Sequence, residues 1–440
     1  MRRLWAFLLP LTCALTVTVA CGGEDPEPSG ASCQPYEAYQ GRSGTKVTIE
    51  GTIRDVEATT LERVWEAFEQ CTGIDISYEG TTDFEATLES RVRAGDGPDI
   101  GFFPQPGLIA RMARAGLLEP ATAEVRANAE RWWSADWRRY GTVDGEFYAA
   151  PIEGNVKSFV WYSPRLFREK GYAIPASWKE LMALTARIAA DGVKPWCVGL
   201  ASGAASGWPA TDWLEDVLLR TAGPEVFDQW VTHAIPFDDP RVVAALDRVG
   251  AIIRNPAYVN GGHGGVQSIA KTGFQEGGLP VLERKCGMHH QASFYTSWLP
   301  PNARVAEDGD VFAFHLPPID PAHGRPIIGG GNFAGAMTDR PEVDLVTAYM
   351  STPEFANNRA RIGKVISANR GFDPANVAEP VLKLSAKLLT DPTVTFRFDG
   401  SDLMPSAVGA GTFWSGMIDW INGADTATVL ARIEASWPPG

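Results

Sequence analysis

The stretch Gly95-Asp96-Gly97-Pro98-Asp99-Ile100-Gly101-Phe102-Phe103 consists of a glycine- and proline-rich turn followed by a short apolar strand. Before it, residues 83–94 are predicted to form a helix and residues 74–78 a strand. Residues 47–50 alternate like another strand, and apolar residues recur at helical spacing over 61–68. This β-α-β alternation predicts a parallel sheet and therefore an α/β fold.

The rest of the chain continues the α/β pattern without an internal repeat. Residues 159–162 predict a strand, and Ser177 and Glu180 form a capping box that begins a helix ending near Ala190. Further helices are predicted over residues 108–115, 211–221, 240–254, 341–350 and 425–437. The absence of a long linker favours two α/β lobes joined by chain crossings. Because ligands of open parallel sheets bind beyond the carboxyl ends of the strands, two facing lobes predict a cleft.

Composition and charge restrict the class of partner. Of the 440 residues, 45% are hydrophobic and 21% are charged, which is typical of globular proteins and excludes disordered and collagen-like chains. The formal net charge is −14 and the chain has no basic block, which argues against nucleic acid as a partner. After residue 20 no stretch approaches about 18 consecutive apolar residues, so no transmembrane helix is predicted there.

The N-terminus predicts export. Arg2 and Arg3 precede an apolar run over residues 4–15, as in a signal peptide, which we assign to residues 1–20. The stretch Thr18-Val19-Ala20-Cys21-Gly22 is similar to a bacterial lipobox, with Thr where that pattern usually has Leu. Cys21 is therefore predicted to carry a lipid anchor on the outer face of the cell membrane, with residues 21–33 as a flexible tether. Ordinary cleavage beside a coincidental cysteine is the alternative.

Cysteine usage agrees with an oxidising compartment. Cys13 lies in the predicted signal peptide, and Cys21 is the predicted anchor. Four cysteines are left: Cys33, Cys71, Cys197 and Cys286. They predict two disulfides, and the sequence alone permits three pairings. A metal site at Cys286, His289 and His290 is an alternative, but its spacing matches no standard zinc pattern, so no metal is predicted.

Several motifs carry a resemblance to a known family. They are Gly95-Asp96-Gly97-Pro98-Asp99-Ile100, Tyr148-Ala149-Ala150-Pro151-Ile152-Glu153-Gly154-Asn155, Ser206-Gly207-Trp208-Pro209-Ala210-Thr211-Asp212-Trp213-Leu214-Glu215, Gln291-Ala292-Ser293-Phe294 and Gly329-Gly330-Gly331-Asn332. Together they resemble the extracellular sugar-binding lipoproteins of ABC importers, in the branch that binds α-glucosides. The resemblance runs from about residue 33 to residue 437. The first motif is shared by many solute-binding proteins, whereas the tryptophan-containing motif is narrower.

The resemblance implies a periplasmic-binding-protein-like fold, in which two α/β lobes with interwoven chain crossings meet at a hinge. Lobe one would comprise residues 34–152 and 316–364, and lobe two residues 153–314 and 366–440. This arrangement places two of the four cysteines in each lobe. It favours the pairings Cys33 with Cys71 and Cys197 with Cys286, which would not obstruct closure.

The same resemblance implies a binding protein rather than an enzyme. Such proteins close two lobes over a mono- or disaccharide and deliver it to an ABC permease with its ATPase. For this branch the ligand would be an α-glucoside of the trehalose, sucrose, maltose or palatinose type. A monomer without a cofactor is expected.

The chemistry of a sugar site selects candidate residues. A pyranose has apolar C–H faces and a ring of hydroxyls, so its site needs aromatic rings bordered by planar polar groups. Trp208 is an aromatic candidate, and the resemblance adds Phe294 and Trp414, which occupy positions where the family usually stacks its sugar; core packing is the alternative for each. Trp208 stands between Gly207 and Pro209, where we expect no helix to hold it. Trp65 and Trp230, on predicted helices, are expected in the core.

The polar candidates follow predicted strand ends or turns. They are Arg54, Asp83, Gln105, Glu153, Asn155, Asp212, Gln291, Asn332 and Arg370, with Gly331 as a close backbone approach. By the resemblance, Glu153 matches an acidic residue that accepts sugar hydroxyls in maltose-binding relatives.

Two of the charged candidates have structural alternatives, and two further acidic residues are assigned a structural role. Asp212 could be the N-cap of the following helix, and Arg370 could pair with Asp373 on the surface. Asp399 and Asp402, on either side of a Gly-Ser pair, are predicted to be turn residues.

Glycoside hydrolysis, dinucleotide binding and the binding of peptides or other polar solutes are the alternatives to sugar binding. Glu153 and Asp212 would suit glycoside hydrolysis if they lay about 5 Å apart, or about 6.5 to 9.5 Å apart. The chain has no recognised hydrolase motif and no eightfold βα repeat. Residues 329–331 with Ala334 imitate a dinucleotide fingerprint, but the next predicted helix begins only near Pro341. A binder of peptides or of another polar solute is the remaining alternative.

Overall fold

The computed structural model describes residues 32–391 and 393–438. The predicted signal peptide, Cys21 and nearly all of the predicted tether lie outside the described residues. Within the described residues, no helix has both the length and the apolar character needed to cross a bilayer.

The structure contains strands and helices in alternation. The strands are β1 (Lys46–Gly51), β2 (Asp75–Gly80), β3 (Ile100–Phe103), β4 (Thr142–Val143), β5 (Glu146–Phe147), β6 (Ala149–Pro151), β7 (Asn155–Val156), β8 (Phe159–Tyr162), β9 (Lys194–Cys197), β10 (Cys286–His290), β11 (Phe312–His315), β12 (Ile327–Gly330), β13 (Phe333–Ala336) and β14 (Phe396–Phe398). The α-helices are α1 (Asp55–Thr72), α2 (Phe84–Ala94), α3 (Pro106–Arg114), α4 (Ala123–Trp132), α5 (Ala135–Arg139), α6 (Pro164–Lys170), α7 (Trp178–Ala190), α8 (Trp208–Ala222), α9 (Pro224–Val231), α10 (Pro240–Ile253), α11 (Phe274–Gly277), α12 (Pro341–Met350), α13 (Pro353–Gly363), α14 (Pro380–Thr390), α15 (Gly400–Leu403), α16 (Trp414–Ile421) and α17 (Thr426–Glu434). Short 3-10 helices cover Gln34–Tyr39, Val266–Ser268, Leu279–Val281, Ser293–Trp298, Pro321–His323 and Pro374–Asn376, and a π-helix covers Val408–Phe413.

The first sheet has the strand order β2-β1-β3-β13-β6. Strand β1 pairs in parallel with β2 and β3, which confirms the predicted β-α-β units. The prediction of a wholly parallel sheet is wrong at β13, which pairs antiparallel with both β3 and β6. The local β-α-β pattern covers only β1 to β3, and it does not indicate the direction of β13, because β13 lies far from these strands in the sequence.

The second sheet, β11-β8-β10-β9, is also mixed. Strand β8 is antiparallel to β10 and β11, while β9 is parallel to β10. Strands β14, β12 and β7 form a third, three-stranded sheet. The two larger sheets have separate hydrophobic cores, one packed around α1 and the other around α8 and α10.

Local sequence signals account for helix ends. The apolar stripe of α1 is buried, and the helix ends at Gly73, which has a left-handed φ of 72°. At the start of α7, the Ser177 hydroxyl accepts the Glu180 N–H at 3.3 Å, which confirms the predicted cap. Trp65 and Trp230 are buried in the core, as predicted.

Both predicted disulfides are present. Cys33 is bonded to Cys71, with 5.4 Å between the Cα atoms, and fastens the first 3-10 helix to α1. Cys197 is bonded to Cys286, with 5.7 Å between the Cα atoms, and joins β9 to β10. The alternative metal site required a free thiol at Cys286, but this thiol is engaged in the second disulfide.

Candidate functional site

A cavity of about 200 Å³ lies where the first sheet faces the rest of the molecule. A site that holds a single water molecule needs only roughly 10 to 15 Å³, so this cavity has room for a much larger solute. Residues that follow β1, β2 and β3 line one side of it, among them Thr52, Thr81 and Gln105. The carboxyl ends of these parallel strands therefore point at the cavity, as predicted for an open α/β sheet.

The opposite side of the cavity is an aromatic wall, formed by Trp208, Phe274, Phe294 and Trp414. The ring centroids of Trp208 and Phe274 are 5.1 Å apart, and those of Trp208 and Phe294 are 6.1 Å apart. Sequence reasoning selected three of these residues and missed Phe274.

One expectation about the aromatic wall is wrong. Trp208 does not lie in an irregular segment, because it is the first residue of α8. Gly207 is the N-cap with a φ of 113°, and Pro209 occupies the first turn, where a missing N–H costs no hydrogen bond. Trp414 is likewise the first residue of α16. Trp208 therefore projects from a helix start, and Trp414 from the junction of the π-helix Val408–Phe413 with α16, so both indoles are held by helical backbone.

Polar groups around Glu153 form another part of the lining. One carboxylate oxygen of Glu153 accepts the Asn332 amide at 2.5 Å, and the other accepts the Arg359 guanidinium. Asn155 accepts the backbone N–H of Gly330 at 3.1 Å. Gly331 must lack a side chain, because a Cβ atom there would stand 2.3 Å from the Glu153 carbonyl oxygen.

Three buried polar atoms of the lining have no hydrogen-bond partner among the described residues: Gln105 Oε1, Asn332 Oδ1 and Arg359 Nε. The other end of the Gln105 amide donates to Glu85 at 2.9 Å, which fixes its orientation. Buried polar atoms in proteins are nearly always hydrogen-bonded. The side chains that carry these three atoms line the cavity, although the atoms themselves are covered by neighbouring protein atoms.

Two lining groups have shifted protonation equilibria. Burial raises the pKa of the Glu57 carboxyl to about 7, although the nearby Arg359 charge lowers it. Burial also lowers the pKa of Arg359 to about 10. Glu57 therefore changes its charge near neutral pH.

A second polar cluster adjoins the aromatic wall. The Lys157 ammonium donates to Asp212 at 3.0 Å and to Asp399, and it lies 4.0 Å from Asp402. The prediction of Asp399 and Asp402 as turn residues is incomplete: Asp399 caps α15, but both are buried, and Asp402 lines the cavity. The N-cap alternative for Asp212 is wrong, because Gly207 holds that position.

Four predicted site residues lie outside the cavity lining. Asp83 is exposed before α2, and Arg370 is exposed, with its backbone N–H donating to the Trp132 carbonyl. Asp212 bonds Lys157 behind the lining. Gln291 is buried, and its side-chain oxygen accepts the N–H of the next residue at 2.8 Å. Arg54, Gln105, Glu153, Asn155, Asn332 and Gly331 do line the cavity.

Sequence reasoning missed several charged lining residues: Glu57, Glu85, Lys157, Arg359 and Asp402. Glu57 and Glu85 lie in the first turns of α1 and α2. Their signal was available, because a first helical turn that follows a parallel strand lies at the same sheet edge as the strand end. Arg359 lies within α13, where nothing in the local sequence separates it from a solvated residue.

The family model of the bacterial extracellular solute-binding proteins matches residues 52–350. The chain therefore belongs to this family of extracellular solute-binding proteins. It is similar to the osmoprotective compounds-binding protein GgtB of Synechocystis sp., with 40% identity over 411 residues that cover 92% of this chain and 96% of GgtB. It is also similar to the alpha-glucosides-binding periplasmic protein AglE of Rhizobium meliloti, with 38% identity over 428 residues that cover 94% of this chain and 92% of AglE.

Solved structures confirm the predicted fold class. The bacterial solute receptor AcbH superposes with a TM-score of 0.75 at 19% identity, covering 89% of this chain and 98% of AcbH. Maltose-bound MalE3 of T. maritima superposes with a TM-score of 0.67 at 16% identity, covering 89% of this chain and 98% of MalE3. The fold is thus that of the periplasmic sugar-binding proteins, and the family consists of binding proteins.

Proposed function

We propose that this protein is the substrate-binding component of an ABC importer, and that it captures an α-glucoside or a related small oligosaccharide for delivery to a membrane permease and its ATPase. One observation carries the proposal: a single cavity is lined both by an aromatic wall and by hydrogen-bonding side chains, among them Arg54, Gln105 and Asn332. The names of the relatives GgtB and AglE support it, because they describe binders of osmoprotective compounds and of α-glucosides.

The two sides of the cavity match the two kinds of surface on a sugar. Trp208 and Phe294 offer ring faces and edges to the C–H groups of a pyranose. Gln105, Asn332 and Arg359 also line the cavity, and their side chains are the groups that we expect to form hydrogen bonds with its hydroxyls. A hydroxyl can satisfy a donor or an acceptor, so a neutral polyol fits this lining better than a purely apolar solute does.

Lobe closure is the mechanism that we propose. Lobe one would be residues 34–152 and 316–364, and lobe two residues 153–314 and 366–440, with the exception of β12, which pairs with β7 and β14 and so belongs with lobe two. The bridge between Gly154 and Ile366 lies where two of the proposed crossings run side by side. A sugar that contacts both lobes stabilises the closed form by its difference in affinity for the two forms.

Hydrolysis is the less favoured function. Of the two carboxyls that it would require, Glu153 accepts both the Arg359 guanidinium and the Asn332 amide. Asp212 lies outside the cavity lining and bonds Lys157. Both carboxyls are engaged in ion pairs within the protein, which favours binding over hydrolysis.

A thermal-shift screen of the purified protein tests the proposal. The panel would contain trehalose, sucrose, maltose and palatinose, with peptides and free amino acids as controls. A glycoside that binds the folded protein should raise the melting temperature with increasing concentration, because ligand binding stabilises by mass action. Calorimetry would then give its affinity, and an assay for released glucose should stay negative. A shift with peptides but with no glycoside would contradict the proposal.

We also propose that the protein is held at the outer face of the membrane through a lipid on Cys21. The lipobox-like stretch supports this, although it lies outside the described residues. In cells, Cys21→Ser should release the protein into the soluble extracytoplasmic fraction with unchanged sugar affinity. A variant that stays in the membrane fraction would disprove the anchor.

A further inference from the structure

The side chain of Lys157 lies between the cavity and the second polar cluster. Its residue follows β7, and its backbone N–H donates to the Ile328 carbonyl at 2.8 Å, which fixes the point from which the side chain extends. Only 7% of the residue is exposed. Its ammonium lies 5.2 Å from the centroid of the Trp208 ring, within the range of a cation–π contact.

One branch of contacts leads from Lys157 to Trp208. The ammonium bonds Asp212, which lies on α8. Trp208 is the first residue of that helix, and the Thr211 hydroxyl donates to its carbonyl at 2.8 Å. The ammonium therefore holds both the helix and the ring face of Trp208.

The other branch leads to Trp414. Lys157 bonds one oxygen of Asp399, and the other oxygen accepts the Ser401 hydroxyl at 2.7 Å. The Ser401 oxygen in turn accepts the indole N–H of Trp414 at 3.3 Å. A continuous set of hydrogen bonds thus joins the ammonium to the second indole of the aromatic wall.

Charge explains why the cation matters. Burial by itself would raise the pKa of Asp399, but the Lys157 ammonium and the bonds to this carboxyl hold its pKa below the ordinary value. Burial by itself would lower the pKa of Lys157, but its three acidic neighbours raise that pKa well above the ordinary value. The pKa values of Asp212 and Asp402 are well above the ordinary value because both carboxyls are buried, so Asp399 is the carboxyl whose charge the ammonium stabilises. Without the ammonium, Asp399 would take up a proton or repel its neighbours, and its hydrogen bonds would change.

We propose that Lys157 is a positioning residue, whose ammonium holds Trp208 and Trp414 in the relative arrangement that grips the ligand. This inference rests on the proposed sugar-binding function for its effect on affinity, but the arrangement of the two indoles is independent of any ligand. Lys157 lines the cavity, but its ammonium is engaged by Asp212 and Asp399, so we assign its effect to these carboxyls and to Ser401.

The test combines a spectroscopic signature with an affinity. In protein labelled with ¹⁵N-tryptophan, Trp414→Phe would assign the indole resonance of Trp414. Lys157→Met should shift that resonance in the absence of ligand and weaken the affinity for the best glycoside of the screen by about three- to tenfold. Lys157→Arg, which keeps the cation, should recover part of both changes. Lys194→Met is the matched control, because Lys194 bonds the Pro256 carbonyl away from the cavity.

Ser401→Ala keeps the test decisive if Lys157→Met does not fold. It removes the hydroxyl between Asp399 and Trp414 without changing any charge, and it should shift the same resonance and weaken binding. The proposal is overturned if folded Lys157→Met, or else Ser401→Ala, leaves the Trp414 resonance and the affinity at wild-type values. It is also overturned if Lys157→Arg matches Lys157→Met in both readouts. If the wild-type protein binds no glycoside, the proposed function fails, while the indole resonance still decides the role of Lys157.

Discussion

Gly207 packs so closely against Trp414 that a Cβ atom on Gly207 would stand 2.1 Å from the Trp414 carbonyl oxygen. The contact joins the N-terminus of α8 to the N-terminus of α16. Since Trp208 directly follows Gly207, the two indoles of the aromatic wall share one backbone contact. The absence of a side chain at Gly207 therefore sets how closely the backbones that carry the two rings can approach each other.

Gly207→Ala should destabilise the protein and weaken sugar binding. The φ of 113° is costly for alanine, and the new methyl group also meets the Trp414 carbonyl. We expect the free energy of unfolding to fall by at least about 2 kcal/mol, measured by urea denaturation. Gly423→Ala is the matched control, because its φ is 116° with open space around it. Equal losses for the two variants would show that the contact with Trp414 carries no energy.

Trp208→Ala should weaken binding of the glycoside by about 1 to 3 kcal/mol, or roughly ten- to a hundredfold, because it removes the central ring of the aromatic wall. Isothermal titration calorimetry would measure the change. Trp437→Ala should bind like wild type, since Trp437 stacks on His233 outside the cavity lining. Wild-type affinity in Trp208→Ala would remove this ring from the ligand site.

The Glu57 carboxyl should make stability depend on pH. Its pKa is raised from 4.5 to about 7 in the folded protein, so the unfolded chain loses this proton first as the pH rises. The stability that the protonated form contributes is therefore present below about pH 4.5 and is lost between about pH 4.5 and 7. Glu57→Gln should be more stable than wild type above pH 7, with the difference vanishing at low pH.

Thermal denaturation across this pH range would measure the effect of Glu57→Gln. Glu62 is exposed on the same helix, and Glu62→Gln is the matched control. A constant difference between Glu57→Gln and wild type at all pH values would contradict the assigned titration.

Removal of either disulfide should destabilise the fold by about 2 to 5 kcal/mol without changing sugar affinity, because no cysteine lines the cavity. The loops closed by the bonds span 38 and 89 residues. Chain entropy alone then predicts a loss about 0.8 kcal/mol greater for Cys197→Ala/Cys286→Ala than for Cys33→Ala/Cys71→Ala. Chemical denaturation compares the two double variants, and a larger loss for the shorter loop would contradict the entropic account.

Local patterns predicted much of the fold because they report local interactions. The apolar stripe of α1, the turn before β3 and the cap of α7 each involve residues close in sequence. The position of β13 could not be predicted in this way. Its pairing with β3 depends on a long chain crossing, and a four-residue apolar strand does not specify its partner or direction.

The candidate site was predicted in part, because some of its residues lie in recognisable stretches of sequence. Glu153 and Trp208 belong to the motifs that carry the family resemblance, and the resemblance also indicated Trp414, whereas Arg359 lies inside an ordinary helix. The acidic pair around Gly400 was predicted to form a turn, because the partner that buries it, Lys157, is distant in sequence. Tertiary contacts, rather than local propensity, place these charged groups at the cavity.

The insertion of β13 between β3 and β6 has a consequence for biosynthesis. The ribosome synthesises the chain from its N-terminus. Strand β13, which lies between β3 and β6, is therefore absent until about three quarters of the polypeptide has been made. Until then the nascent chain cannot complete that sheet, and such non-local pairing is slow even afterwards. For a member of an extracellular family, a sheet that can close only late would keep the polypeptide in the extended form that passage through a secretion channel requires.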